Sequence, residues 1–234
     1  MNQSIILLPT YNEITNLEEI IKSIFQHLPT THILIIDDGS PDGTGQLADQ
    51  LSQTHPSQVF VMHRKSKDGL GRAYVAGFQW ALERDYQFFF QMDADFSHDP
   101  AYLPQLLKKA QNTDMVLGSR YIKGGGVEGW AWHRLLLSFF GNLYVRFVLG
   151  MKIQDLTGGF KCFQRSVLEA LNFDHIKSNG YLFQIEMTYF VFQKKFKIEE
   201  VPIIFKERKM GVSKMNRKIV LEALLNVWEI KNNS

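Results

Sequence analysis

One cysteine, Cys162, stands among 234 residues. An internal disulfide is therefore excluded, and the usage fits a reducing compartment. Long apolar runs are also missing. No window reaches the roughly 18–20 uninterrupted apolar residues that a membrane-spanning helix needs. The most apolar long window, Leu135 to Met151, carries Arg146. An excess of one charge is missing too: 26 Lys and Arg against 24 Asp and Glu leave +2, too little to indicate a nucleic-acid partner. The seven histidines (27, 32, 55, 63, 98, 133 and 175) follow no metal-ligand spacing; His98, beside D-x-D, reads as a surface-loop residue, with support of the aspartates from behind as the alternative. Neither G-x-S-x-G nor G-x-x-x-x-G-K-[ST] occurs, so nucleophile-elbow hydrolases and P-loop enzymes lack their residues. Internal repeats and low-complexity tracts are absent. The first residues, MNQSIILLPTYNE, have no basic region before their short apolar run, so they are expected to form a strand rather than a signal peptide.

What is present is a core-forming chain, 45% hydrophobic and 21% charged. The runs Ser4–Thr10, Thr31–Asp38, Gln58–Arg64, Gln87–Asp95 and Asp114–Tyr121 are nearly continuously apolar, as strands buried on both faces of a parallel sheet are. Leu17, Ile20, Ile21, Ile24, Phe25 and Leu28 have helical spacing, with Thr15 and Glu18 as a capping box. Further helices are expected after Thr44, Leu70 and Pro100. Strand–helix alternation of this kind predicts an α/β, doubly wound, mainly parallel sheet with helices on both faces. Gly124–Gly126 reads as a flexible break. Beyond it come an unusual segment at Trp130–Met151, helices near Arg165–Leu171 and Tyr181–Lys194, a strand at Ile198–Phe205, and a last amphipathic helix at Ile219–Ile230. The chain is expected to be one domain: a first half at 1–122, an amphipathic segment at 127–151, and a second half at 152–234.

Ligands of such sheets bind beyond the carboxyl ends of the strands. The polar clusters PTYNE, DDGSPDGTG, DAD and GSRY all fall there. In MDADFSHDP, Asp93, Asp95 and Ser97 share one face if the chain is extended. Two carboxylates about 5 Å apart repel by roughly 3 kcal/mol at an effective dielectric near 20, so a proton or a cation belongs between them. Oxygen ligands select Mg²⁺ or Mn²⁺, and Mg²⁺ completes its shell with substrate phosphates and water. Asp99 is set apart as the N-cap of the helix that begins at Pro100. The strand and D-x-D together point to a nucleotide-diphosphate site.

PTYNE, DDGSPDGT, MDADFSHDP, GSRY, DLTGGF, SNGYLFQIEM and ERKMGVSKM together resemble the inverting family-2 glycosyltransferases of GT-A fold. More narrowly, they are similar to the polyprenol-phosphate (dolichol-phosphate) mannose synthases. The resemblance runs from Pro9 to about Met215. It implies GDP-mannose as donor, its base and ribose on Pro9, Tyr11, Glu13 and Asp38, with Ala94 and Arg120 also in the donor site. It implies Mg²⁺ or Mn²⁺ on Asp93 and Asp95, with Ser97 as a further ligand that some family members replace by Gln. Arg208 and Lys214, on a basic loop that bends at Gly211, would approach the diphosphate. The catalytic set so implied is Asp95, Arg208 and Lys214. A polyprenyl phosphate would be gripped by Arg120, Arg134 and Ser138.

In Ala131–Met151, Arg134, Ser138, Asn142 and Arg146 recur every four residues and form one polar stripe on a helix. The rest is almost wholly apolar, with Trp130 and Trp132 at the start. A core helix with a wet stripe is the simplest reading, but the apolar arc is too wide for one packed face and the stripe is cationic; a helix lying in a membrane interface, Trp at headgroup level, accounts for both. The expected setting is peripheral, at the cytoplasmic face of a membrane, with a membrane-spanning partner subunit as one way to reach the lipid. A monophosphate acceptor is anionic at pH 7, so its attacking oxygen needs aim more than deprotonation, and Asp155 is expected to hold sugar hydroxyls or orient the acceptor arginines. The rivals are a polyprenyl-phosphate glucosyltransferase or polysaccharide-building relative using a UDP-sugar, and an inactive membrane scaffold. A nucleotidyltransferase would be expected to show a basic Gly-rich stretch where PTYNE stands.

Overall fold

A computed structural model of the chain describes residues 4–176, 178, 180–207 and 226–232, with only the backbone of Tyr181. Nine strands and seven helices are defined among these residues, together with 3-10 turns and a helical stretch at 226–232. The alternating half is β1 (Ser4–Thr10), α1 (Leu17–His27), β2 (His32–Asp37), α2 (Thr44–Thr54), β3 (Val59–His63), α3 (Leu70–Leu82), β4 (Phe88–Gln91), α4 (Leu103–Ala110) and β5 (Met115–Ser119). Then follow β6 (Gly126–Glu128), α5 (Trp132–Leu149), β7 (Lys161–Gln164), α6 (Arg165–Ala170), α7 (Gly180–Gln193), β8 (Ile198–Pro202) and β9 (Ile204–Lys206).

The main sheet has the order β3-β2-β1-β4-β7-β5-β8. All its pairings are parallel except those of β7, which lies antiparallel between β4 and β5 and pairs Phe90 with Cys162 and Val116 with Cys162. Side chains alternate across the sheet, as strand geometry requires. Ile6 and Leu8 pack with α1, α2 and α4 on one face. Ile5 and Leu7 pack with α3, α6 and α7 on the other. Helix α7 is apolar on several sides because it is buried on two: Phe183, Met187 and Val191 meet the sheet, while Ile185 and Tyr189 meet Val145, Val148, Val227 and Ile230.

Several expectations are corrected. The capping box of Thr15 and Glu18 does not form. Asn16 is the N-cap without a side-chain cap bond, the Asn16 amide donates to Glu13 Oε2 at 2.9 Å, and Glu18 pairs with Lys22 one turn on. The break at Gly124–Gly126 runs into a strand, β6. The single strand expected at Ile198–Phe205 divides at Ile203: β8 stays in the main sheet and β9 leaves it to pair with β6. Of the last helix expected at Ile219–Ile230, only its end lies within the described residues.

Candidate active site

The order of the sheet fixes the order of the site. The carboxyl ends of β2, β1, β4 and β5 and the start of the antiparallel β7 share one edge. A cleft of about 480 Å³ runs along it. Pro9, Tyr11, Glu13 and Asp38 lie at the β1–β2 end. Asp93, Ala94 and Asp95 lie at the centre. Gly158, Gly159, Arg120 and Arg134 lie toward β7 and β5. Nine of the sequence-predicted residues therefore line one cleft. Arg208, Lys214 and Gly211 lie outside the described residues.

At the β1–β2 end, the Arg64 guanidinium donates to Asp38 Oδ1 at 2.5 Å, and the Lys67 ammonium stands 3.6 Å above the Tyr11 ring. Burial raises the Asp38 carboxyl above its ordinary value, and the charge of Arg64 offsets only part of that. Arg64 and Lys67 were not among the expected site residues: they lie in HRKSKDG after β3, whose end falls on the same edge as those of β1, β2, β4 and β5. Asn12 adopts the left-handed region at φ 61° within PTYNE, a conformation uncommon outside glycine and often met at functional turns.

At the centre, β4 ends at Gln91, so MDADFSHDP is a loop rather than extended chain. Phe96 turns it through φ 61°. That turn takes Ser97 off the face of the two aspartates, contrary to the extended reading. Ser97 is fully buried, its backbone N–H donates to Asp95 Oδ1 at 3.0 Å, and it does not line the cleft. Its part in this geometry is to hold Asp95. His98 is not at the surface but takes the alternative place behind the aspartates: it is 2% exposed, stacks on Phe160 at 5.0 Å, and its Nδ1 accepts the Asp93 N–H at 3.1 Å. The apolar Phe160 and Phe205 on either side of the ring account for its burial. Asp99 caps the following turn as expected, accepting from Ala101 N at 3.0 Å. Burial would raise its carboxyl, but the Ala101 bond and Lys206 bring it below the usual value.

Asp93 and Asp95 present oxygen ligands to the same cleft. Among the described residues no cluster of three His, Cys, Asp or Glu side chains could hold a metal. A pair of carboxylates nevertheless fits a cation of the Mg²⁺ type, which takes one or two of them and finds its remaining ligands in phosphate and water.

At the far end, Arg120 and Asp155 form a buried fork: Nε to Oδ2 at 2.7 Å and NH2 to Oδ1 at 2.7 Å. The Arg120 backbone N–H donates to Oδ2 at 3.0 Å, and NH2 also donates to Thr157 Oγ1 at 2.7 Å. Burial would raise the Asp155 carboxyl, but Arg120 holds it below the ordinary carboxylate range. Glu200 fixes the loop by accepting the N–H groups of Gln154 and Asp155 at 2.9 and 3.0 Å. Arg134 pairs with Glu207 at 2.7 Å and lies 4.0 Å over Trp130. Trp130 lines the cleft. Ser138 is outside the lining and accepts the Tyr121 hydroxyl at 2.7 Å.

The stripe of α5 turns inward. Asn142 is 2% exposed and joins the helix to the 155–157 loop through Leu156 N, at 2.9 Å, and Thr157 Oγ1, at 3.1 Å. The opposite surface is apolar and open: Trp132 is 74% exposed, Phe140 59% and Phe147 87%, with Leu136, Leu137, Phe139 and Leu143 beside them. Among the described residues no helix is long and apolar enough to cross a membrane.

The glycosyl transferase family 2 model matches residues 5–171. A polyprenol monophosphomannose synthase of Mycolicibacterium smegmatis is 47% identical over 228 residues, 97% of this chain and 86% of the relative. An undecaprenyl-phosphate mannosyltransferase of Micrococcus luteus is 45% identical over 221 residues, 94% of this chain and 90% of the relative. Among solved structures, glucosyl-3-phosphoglycerate synthase from Mycobacterium tuberculosis, in complex with Mn²⁺, uridine-diphosphate-glucose and phosphoglyceric acid, superposes with a TM-score of 0.67. That match is 18% identical and covers 98% of this chain and 78% of the other, which establishes the shared fold. The chain belongs to glycosyltransferase family 2 and is a glycosyltransferase.

Proposed function

We propose that the protein transfers mannose from GDP-mannose to a polyprenyl monophosphate, with inversion, giving a polyprenyl-phosphate β-mannose. The observation that carries this reading is the order of groups along one cleft: Pro9, Tyr11, Glu13 and Asp38 at β1–β2, two carboxylates after β4, and two arginines at β5 and α5. The names of the two relatives, each more than 40% identical over nearly the whole chain, support mannose and a polyprenyl phosphate. The base and ribose rest on Pro9, Tyr11, Glu13 and Asp38, with the diphosphate at Asp93, Ala94 and Asp95. Asp93 and Asp95 would hold Mg²⁺ or Mn²⁺, which when bound supplies neutralisation of the diphosphate charge. Arg208 and Lys214, which lie outside the described residues, are assigned to the same diphosphate.

A phosphate oxygen of the acceptor forms the bond to the anomeric carbon while that carbon's bond to the donor diphosphate breaks. GDP leaves with the electron pair. The attacking oxygen is already anionic, so no base is required, and Arg120 and Arg134 align it. Asp155 acts through Arg120, holding its guanidinium in one plane. The apolar face of α5 lies on the membrane that contains the acceptor, on the cytoplasmic side, where a membrane-spanning partner subunit can present the lipid. Burying six such side chains is worth on the order of 10 kcal/mol as an upper bound.

The test is a donor panel. Purified protein with Mn²⁺ and a short-chain polyprenyl phosphate is given GDP-mannose, GDP-glucose, UDP-glucose or UDP-N-acetylglucosamine. Transfer from GDP-mannose is expected. Efficient transfer from UDP-glucose with none from GDP-mannose refutes the donor assignment.

A further inference from the structure

Beside the start of β7 lies a polar group that the scheme above does not use. Lys161 is completely buried on a central strand, and its ammonium donates to the carbonyl oxygen of Gln184 at 2.7 Å and to Gln184 Oε1 at 2.8 Å. Burial lowers its pKa to about 7, and the Asp155 charge opposes that shift. A lysine without an ion-pair contact in the middle of a sheet is costly, so what it holds in place is of interest. An ammonium can only donate. It therefore fixes the Gln184 amide with its oxygen inward and its nitrogen outward. Gln184 is 3% exposed and lines the cleft, and its Nε2 is buried with no hydrogen-bond partner among the described residues. The residue facing it is Gly159, also in the cleft lining; a Cβ there would come within 3.3 Å of Nε2. A side chain at 159 would crowd the amide, and the glycine leaves it room to turn toward the cleft.

We infer that Gln184 Nε2 donates a hydrogen bond to a hydroxyl oxygen of the sugar being transferred, and that Lys161 is the positioning residue for that amide. The place follows from the sheet. β7 lies on the opposite side of β4 from β1 and β2. A donor whose nucleoside lies at β1–β2 and whose diphosphate lies at β4 therefore extends its sugar toward Gly159 and Gln184. A buried amide donor held by Lys161 at the edge of the cleft gains from a sugar hydroxyl that accepts from it. This rests on the reading of the cleft as a nucleotide-sugar site.

Affinities for GDP and for GDP-mannose, measured by calorimetry with Mn²⁺, give the part of binding owed to the sugar as a ratio. Gln184→Met is expected to leave the GDP affinity within twofold and to lower that ratio about fivefold to tenfold, the worth of one such bond. Lys161→Met is expected to lower the ratio with GDP affinity equally preserved. If Gln184→Met fails to fold, the double variant Lys161→Met/Gln184→Met, which removes both polar partners together, takes its place with the same expectation. A ratio unchanged within twofold, or an equal loss for GDP and GDP-mannose, overturns the inference. Should the wild type bind UDP-glucose and not GDP-mannose, the donor proposal has failed. The inference is then decided by the same ratio taken with UDP and UDP-glucose.

Discussion

Replacing Asp155 by Asn isolates the buried fork. The Arg120 side chain is 5% exposed and that of Asp155 0%, so water cannot make up for a missing partner. Asn keeps the size of Asp but loses the charge, and its amide nitrogen faces the guanidinium N–H groups. Breaking a buried pair by neutralising one member costs about 3–5 kcal/mol, since the other charge stays buried. For a domain of this size that is roughly 6–20 °C in Tm. The sign with pH is fixed by the depressed Asp155 pKa: its contribution is present above the unfolded carboxyl value and is lost as pH falls through the lower folded value. Thermal unfolding at pH 7 should show the deficit, and unfolding in increasingly acid buffer should bring wild type and variant together. The double variant Arg120→Met/Asp155→Leu should regain most of the stability and none of the transfer activity. A loss below about 1 kcal/mol for Asp155→Asn, or a gap that widens in acid, refutes the account of this pair.

Phe140→Asp combined with Leu143→Lys on the open face of α5 should abolish co-sedimentation with anionic vesicles while leaving Tm within a few degrees; undiminished vesicle binding would remove α5 as the membrane contact. Lys161 has a folded pKa near 7, below its ordinary value, so the unfolded chain binds more protons between about pH 7 and 10 and stability rises with pH across that window. Lys161→Met should flatten that rise, and urea unfolding at pH 7 and pH 9 measures it. Gly71→Ala places a Cβ 2.7 Å from the Ser178 carbonyl oxygen and 2.9 Å from the Phe183 ring, and should cost about 1–3 kcal/mol in urea unfolding; a neutral result would mean that the 178–183 segment gives way.

The parallel half was legible because its signals are local. Ser4–Thr10 is a strand where its apolar run lies, and α2 and α3 begin at the residues after which helices were expected. Strand β7 was not legible. It is four residues long, it contains a lysine, and its partners are over 40 positions away, so nothing in KCFQ marks a central strand. The cleft was legible through the acidic loops, whose composition is unusual for buried strand ends. Lys67 and Gln184 were harder to see. The first lies after β3, and the second sits on an all-round apolar helix whose polar contact is with the unannounced β7. Ser97 was misplaced for a conformational reason: the left-handed turn at Phe96 has no glycine to announce it. The stripe on α5 was read correctly as a stripe, but the sequence did not say which side faced the protein. Asn142, bonded to the 155–157 loop, decides that.

The most direct test of the account is the linkage in the product. With GDP-mannose, a divalent cation and a short-chain polyprenyl phosphate, the anomeric configuration is read from the one-bond C1–H1 coupling by NMR. Direct attack by an acceptor phosphate aligned on Arg120 and Arg134 predicts a β-mannosyl phosphate from the α-linked donor. An α-mannosyl product, or free mannose with the lipid phosphate unmodified, would contradict it.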